Sequence, residues 1–206
     1  MMKTVQMMIV GAALWSAVAP AWALREGEAA PDFRVASTAG RELSLSDFSG
    51  QWLALYFYPK AFTPGCTTEA CSLRDGYSAL LENGVHILGV SADSLETQLK
   101  FKSDYHLPFE LLADEGGAVI KAYGAEGMGG GARRVTFLIS PEGSIAKIID
   151  DVRSAGHDAQ ILAAFHLLQA HAPERPPVLT HETESAPSSE AEPLVSPVEA
   201  GETTAP

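Results

Sequence analysis

Cysteine is scarce in this chain, with two in 206 residues. That excludes a multi-disulfide scaffold and a four-cysteine metal site. Positive charge is scarce as well. Fourteen Lys and Arg face 26 Asp and Glu, for a formal charge of −12. Nucleic-acid binding, which needs a basic patch to release counterions, is not expected. No internal repeat is visible. The six histidines are scattered, none spaced as a ligand pair. What is plentiful is apolar side chain, 46% of residues, which is ample for a buried core.

These totals average over unlike segments. In residues 1–23, Lys3 is the one charge, an apolar stretch runs from Met7 to Val18, and Ala21-Trp22-Ala23 follows. The small-x-small pattern is the one signal peptidase reads, which predicts cleavage after Ala23 and a periplasmic mature chain. The competing reading is a retained anchor. The uncharged run from Thr4 to Leu24 is 21 residues, nominally enough to span a bilayer. Pro20 and the small-residue site favour processing, with no stable membrane association afterwards.

Residues 172–206 are unlike the rest in another way. They hold seven of the 13 prolines, seven glutamates and one arginine, and carry half the net charge. With no aromatic residue and no apolar period, such a segment cannot offset its conformational entropy by burial. The expectation is a disordered acidic tail, either a solvated extension or a partner-binding spacer. Residues 24–171 then form one domain of ordinary size.

Within that domain, Phe33–Ser37 and Leu43–Leu45 flank Gly40 and predict a hairpin. Trp52–Tyr58 is almost wholly apolar and aromatic, the pattern of a central strand covered on both faces. Thr63–Leu81 predicts one helix, capped by Thr63 and opened by Pro64. Val85–Val90 is a second buried strand. A helix capped by Asp93 or Ser94 runs to Tyr105, Phe109–Leu112 is a short strand, and Asp114 caps a short helix closed by Gly124. Residues 127–131 read as a flexible glycine loop that precedes a strand, so they do not make a phosphate loop. Arg134–Ile139 and Ser144–Ile149 are strands joined at Pro141-Glu142-Gly143. A last helix, Asp158–Ala170, puts Ile161, Leu162, Phe165 and Leu168 on one face. Alternating strands and helices followed by an antiparallel pair predict an α/β thioredoxin-like fold. It would have a mixed central sheet flanked by helices and an N-terminal hairpin extension.

Both cysteines lie in the run Pro59-Lys60-Ala61-Phe62-Thr63-Pro64-Gly65-Cys66-Thr67-Thr68-Glu69-Ala70-Cys71. Cys66 falls in the first turn of the predicted helix, where free N–H groups and the macrodipole favour an anion. Thiolate is that anion, and thiolate is the nucleophile. Thr63 stands where its hydroxyl can reach the sulfur or its substrate. A structural disulfide is the competing reading for an exported chain. Five residues of α-helix separate Cα atoms by roughly 8.6 Å, beyond the limit of about 7 Å for a disulfide. Even unstrained, so short a loop gains only about 2 kcal/mol. The bond therefore forms only when the first turns unwind, which suits a transient bond. A Cys-x4-Cys pair without nearby histidines is a poor zinc site.

This constellation resembles the peroxiredoxins, whose Pro-x-x-x-Thr/Ser-x-x-Cys pattern is met by Pro59, Thr63 and Cys66. The continuation Cys-Thr-x-Glu-x-Cys, from Cys66 through Glu69 to Cys71, is similar to the bacterioferritin comigratory protein, or peroxiredoxin Q, subgroup. Arg134-Val135-Thr136-Phe137-Leu138-Ile139 looks like the second signature, and Gly27-Glu28-Ala29-Ala30-Pro31-Asp32-Phe33 like the opening one. The resemblance spans about Arg25 to Ala170. It implies a thiol peroxidase that needs no metal or organic cofactor. Cys66 would attack peroxide and become a sulfenic acid, Cys71 would resolve it as a disulfide, and an external thioredoxin-like dithiol would reduce that. Arg134, Thr63 and the Cys66 N–H would stabilise the leaving oxygen, Pro59 would shield the sulfur, and Glu69 would orient an arginine. Arg133 and Lys60 are expected to be solvated charges. The subgroup implies a monomer. Two alternatives stay open: an exported thiol-disulfide oxidoreductase, and a non-enzymatic binding protein acting through its acidic tail.

Overall fold

The computed structural model describes residues 24–171. The expected signal segment, 1–23, and the expected acidic tail, 172–206, lie outside the described residues. Among the described residues, no helix is long and apolar enough to cross a membrane.

A small antiparallel pair opens the fold, β1 (Arg34–Ala36) with β2 (Glu42–Ser44). Gly40 turns between them at φ 75°, a conformation glycine adopts without steric cost. The main sheet has five strands: β3 (Trp52–Phe57), β4 (Val85–Ser91), β5 (Glu110–Ala113), β6 (Val135–Ile139) and β7 (Ile145–Ile149). Their spatial order is β5-β4-β3-β6-β7. β3 pairs parallel with β4, and β4 with β5. β6 lies antiparallel to both β3 and β7. β3 is thus the hinge between the parallel and antiparallel halves.

Its side chains explain that central place. Leu53, Leu55 and Phe57 enter one apolar cluster, and Ala54, Tyr56 and Tyr58 enter the other, across the sheet. A strand buried on both faces has to be apolar throughout, and this one is. The first cluster is completed by α4 (Ala118–Ala122) and by Phe33 and Leu43 of the hairpin region. The second is completed by α1 (Pro64–Asp75), α2 (Tyr77–Glu82), α3 (Leu95–Asp104) and α5 (His157–His171). On α5, Ile161 and Phe165 are buried and Leu162 and Leu168 pack beside them, the face the periodicity predicts.

One expectation needs correction. The single helix over 63–81 is two helices, α1 and α2, divided at Gly76, whose φ and ψ of −90° and 4° leave the helical well. The cause is tertiary. A Cβ at residue 76 would lie 2.4 Å from the Cβ of Asp158 on α5. Only glycine allows that approach, and glycine is a weak helix former. Ser94, not Asp93, caps α3, accepting from the Thr97 N–H. Asp93 instead accepts the N–H of Ala61 at 2.8 Å and the hydroxyl of Ser91 at 2.7 Å. It therefore moors the loop that leads into α1. His86 is half-buried in β4 with its ring 6.2 Å from that of Phe48.

Candidate active site

The site forms where β3 ends and α1 begins. Pro59 stops the strand, and the loop to Thr63 turns through Phe62 at φ 63°. Left-handed backbone is unusual for a bulky residue. The Phe62 ring is held edge-on against Phe101 of α3 at 5.1 Å, which fixes the turn. Thr63 is the residue before α1, extended at φ −77° and ψ 148°. Its hydroxyl makes no capping bond. It donates back to the Lys60 carbonyl at 2.9 Å. The expected hydroxyl-to-sulfur contact is thus not one of its hydrogen bonds, although the oxygen keeps its lone pairs as acceptors.

Pro64 and Gly65 follow, and Cys66 is the third helical residue. The first intrahelical backbone bond runs from the Thr67 N–H to the Thr63 carbonyl. The N–H groups of Gly65 and Cys66 therefore precede the helical ladder, as the first N–H groups of any helix do. Cys66 itself is 2% exposed within the apolar cluster under α1.

The charge that faces this sulfur comes from the strand beside β3, on the same face of the sheet. Arg134 stands immediately before β6. Its Nη2 donates to Cys66 Sγ at 3.3 Å, while Nη1 donates to Glu69 Oε2. A Cβ on Gly65 would sit 3.2 Å from Nη2, so glycine there keeps the guanidinium's approach open. Burial works against the Arg134 cation, but Glu69 and the sulfur outweigh it, and its pKa rises. The expected partners Cys66, Glu69 and Arg134 are thus brought into one cluster.

Glu69 is fully buried, and only one of its oxygens is satisfied. Burial pushes its pKa from 4.5 up to about 7, with Arg134 pulling the other way and losing. Its second oxygen, Oε1, has no hydrogen-bond partner and lies 3.8 Å from His157 Nε2. Burial holds His157 down at about 4, so the ring is neutral at pH 7. Its Nδ1 faces Gln160 Oε1 at 3.2 Å, and that oxygen already accepts from the Arg153 N–H. The network therefore assigns the ring proton to Nδ1. Nε2 then accepts from the Thr136 hydroxyl at 2.8 Å. Two acceptors, Nε2 and Oε1, face each other, which is the arrangement a protonated Glu69 relieves.

Cys71 has different neighbours. It is half-buried, and both cysteines are free thiols. It opens onto a cleft of about 530 Å³ lined by Thr67, Thr68, Ser72, Gly156 and Asp158 among others. Arg74 lies alongside. Its guanidinium is tied to Asp75 at 2.8 Å and to the Tyr105 carbonyl at 3.0 Å. Its pKa is raised by Asp75 first and, less, by the Cys71 sulfur.

The remaining expectations divide. Lys60 is exposed, as a solvated charge should be. Arg133 is not such a charge. It is half-buried, with Nε donating to the Gly124 carbonyl at 3.3 Å, because the backbone around it is bound to Ala125 across the 126–132 loop. Pro59 is exposed at the end of β3, its carbonyl 2.9 Å from where a Gly131 Cβ would be. The glycine loop is thus packed against the strand end. The residues sequence reasoning did not single out are His157, Thr136, Arg74 and Tyr56. A signal existed for Thr136, a lone polar residue within the buried run VTFLI. Nothing local pointed to His157, which lies far from Glu69 in sequence. Tyr56 has a buried hydroxyl without a partner, and its pKa lies well above the ordinary value, from burial first and then the neighbouring Tyr58 and Glu69.

Comparison with known proteins agrees with this geometry. Residues 27–148 match the AhpC/TSA family. Peroxiredoxin Bcp of Escherichia coli strain K12 is 40% identical over 146 residues, covering 68% of this chain and 94% of the relative. Peroxiredoxin Bcp of Bacillus subtilis strain 168 is 41% identical over 145 residues, covering 66% and 91%. Among solved structures, Xanthomonas campestris bacterioferritin comigratory protein, described for alkyl peroxide reduction activity, is similar with a TM-score of 0.61. It is 35% identical and covers 68% of this chain and 92% of its own. A buried cysteine on a helix N-terminus, an arginine bonded to its sulfur and matches of this extent lead to one conclusion: the chain belongs to the AhpC/TSA family, in the Bcp/peroxiredoxin Q branch of the peroxiredoxins, and is a thiol peroxidase.

Proposed function

We propose that Cys66 is the peroxide-reacting thiolate, that Cys71 resolves it, and that the enzyme works outside the cytosol on hydrogen peroxide and organic hydroperoxides. The observation that carries the cysteine assignment is the 3.3 Å bond from Arg134 to Cys66 Sγ. A permanent cation at that distance stabilises a thiolate. Cys71 has Arg74 beside it, a guanidinium already paired with Asp75 and the Tyr105 carbonyl.

The Cys66 thiolate attacks one peroxide oxygen, the O–O bond breaks, and Cys66 becomes a sulfenic acid. The other oxygen leaves as alkoxide or hydroxide and takes a proton to become alcohol or water. Arg134 and the Cys66 N–H are the donors placed to stabilise that developing charge. Glu69 holds Arg134 from behind, which fixes the guanidinium toward the sulfur. The Cys71 thiol then displaces water from the sulfenic acid, leaving a disulfide, and an external dithiol returns both thiols by exchange. The similarity to an alkyl peroxide reductase supports organic hydroperoxides as substrates.

Export rests on Lys3, the apolar run Met7–Val18 and Ala21-Trp22-Ala23. An exported enzyme is separated from cytosolic reductants, so its dithiol partner is a thioredoxin-like protein of the periplasm. The enzyme works as a monomer. The test is peroxide consumption by purified protein with a dithiol donor, followed by intact mass. The expected product is a Cys66–Cys71 disulfide, two mass units below the dithiol. Normal turnover in Cys66→Ser, or activity toward protein disulfides without any toward peroxide, overturns the proposal. Secreted protein beginning at Leu24 supports export, and retention in carbonate-washed membranes rejects cleavage. Light scattering at one chain mass supports the monomer.

A further inference from the structure

The cycle requires Cys71 to reach Cys66, and intact α1 forbids it, because the two Cα atoms stand roughly 8.6 Å apart on an ideal helix. Whatever holds α1 together at Cys71 is therefore part of the reaction. The residue after Cys71 is Ser72, and it is clasped from α5. Ser72 Oγ donates to Asp158 Oδ1. It accepts the Gly156 N–H at 3.1 Å and the Asp158 N–H at 3.5 Å. One turn onward, Gly76 packs against the same Asp158 with no room for a Cβ. The first turn of α5 thus grips α1 just after Cys71, at Ser72 and Gly76. Cys66 and Arg134 make no hydrogen bond to Ser72 or Asp158, so the peroxide-reacting end is separate from the grip.

We propose that the Ser72–Asp158 clasp is the latch on the resolving step. Ser72 and Asp158 are positioning residues that hold Cys71 on the helix while Cys66 meets peroxide. Their bond opens before the disulfide closes. The inference rests on the roles proposed above for the two cysteines. In the step itself, Cys71 loses its thiol proton and its sulfur attacks the sulfenic sulfur of Cys66. The S–O bond breaks, and hydroxide leaves with that proton as water. No outside oxidant or reductant enters. A bond present in the dithiol form and absent from the disulfide form favours the dithiol by linkage.

The full-length protein and its Ser72→Ala variant are mixed with hydrogen peroxide, acid-quenched at intervals and analysed by mass. Sulfenic acid formation is expected to change by less than about twofold. Disulfide formation is expected to quicken by at least about fivefold, the effect of one ordinary hydrogen bond, since Ser72→Ala removes the Asp158 bond together with two backbone bonds. In a dithiol redox buffer the same fivefold shift toward disulfide appears as a midpoint lower by about 20 mV. At high peroxide, less Cys66 reaches the sulfinic state, because resolution outruns a second oxidation. Ser72→Thr keeps the hydroxyl and restores the wild-type rate, which a general loosening of the fold would not explain. Asp158→Asn retains an acceptor without the charge and falls between. Unchanged or slower disulfide formation in Ser72→Ala overturns the latch. If Ser72→Ala does not fold, the Asp158→Asn rate decides in the same direction. A wild type that forms no Cys66–Cys71 bond removes the cysteine assignment and the latch together. A wild type that forms the bond as fast as Ser72→Ala removes the latch alone.

Discussion

Cys66 and Cys71 share one helix and little else. The first is 2% exposed, set at the helix start among apolar side chains, with a guanidinium on its sulfur. The second is half-buried on an open cleft with serine, aspartate and glycine for neighbours, and the guanidinium alongside it, Arg74, is already tied to Asp75. The difference follows from two tasks. A sulfur that attacks peroxide needs a fixed positive charge, a dry site and donors aimed at the leaving oxygen. A sulfur that must travel to its partner needs attachments that can be undone. Core packing supplies the first environment, and a few surface hydrogen bonds supply the second. One helix serves both because its buried face is the Cys66 turn together with Glu69, Ala70 and Leu73.

The largest expected effect separates the two thiols outright. Cys66→Ser is expected to bring peroxide consumption to background. Cys71→Ser should keep a full first turnover and stop there, as sulfenic acid trapped by a mass-tagged probe. Equal loss of the first turnover in both variants would abolish the asymmetry. Next comes the charge. Arg134→Ala should slow the first turnover by about 10²–10³, the usual loss for one donor to a developing oxyanion. Arg133→Ala, whose guanidinium binds only the Gly124 carbonyl among the described contacts, should change it by less than about twofold. The reverse order would mean that the wrong arginine has been given the role.

A third experiment probes the Cys71 side through packing. Gly76→Ala pushes a methyl group into Asp158. Overpacking of this kind costs about 1–3 kcal/mol, measurable as a lower urea midpoint. An unchanged midpoint would show that α1 and α5 are loosely joined there.

The fourth concerns the buried acid and base behind Cys66. Glu69 is raised from 4.5 to about 7, so the folded state binds more protons than the unfolded, and its contribution falls as pH rises through that window. His157 is lowered from 6.5 to about 4, so the unfolded state binds more, and its contribution is lost as pH falls from 6.5 to 4. Between pH 4.5 and 6.5 the two trends oppose and flatten the profile. Glu69→Gln leaves His157 alone, and urea unfolding across that window should then show stability rising with pH. A variant profile that stays flat would sink this assignment. Smallest of all is deletion of residues 172–206. Peroxide consumption by the shortened chain should match the full chain within error.

Much of the fold was legible because its signals are local. WLALYF announces a strand covered on both faces, and α5 shows its apolar stripe. Cys66 and Arg134 were legible through short motifs at fixed spacing. What escaped is tertiary in origin. Gly76 divides a helix only because Asp158 arrives from α5. Arg133 is drawn inward because a loop folds back on its backbone. Thr63 points its proton at Lys60 rather than at the sulfur, a choice made by the turn at Phe62. His157 joins Glu69 across a gap in sequence that no periodicity spans.

The bond between Arg134 and Cys66 has one more consequence. Arg134 is rooted at the start of β6, which pairs with β3, and Cys66 is rooted in α1, which β3 leads into. The 3.3 Å contact therefore closes a loop that runs through helix, strand and neighbouring strand. It acts as a gauge of the gap between helix and sheet. Any change beneath α1, such as trimming Leu73 or enlarging Ala70, alters that reading before it threatens the fold. The speed of peroxide reduction thus reports on the packing of a layer that no peroxide ever touches.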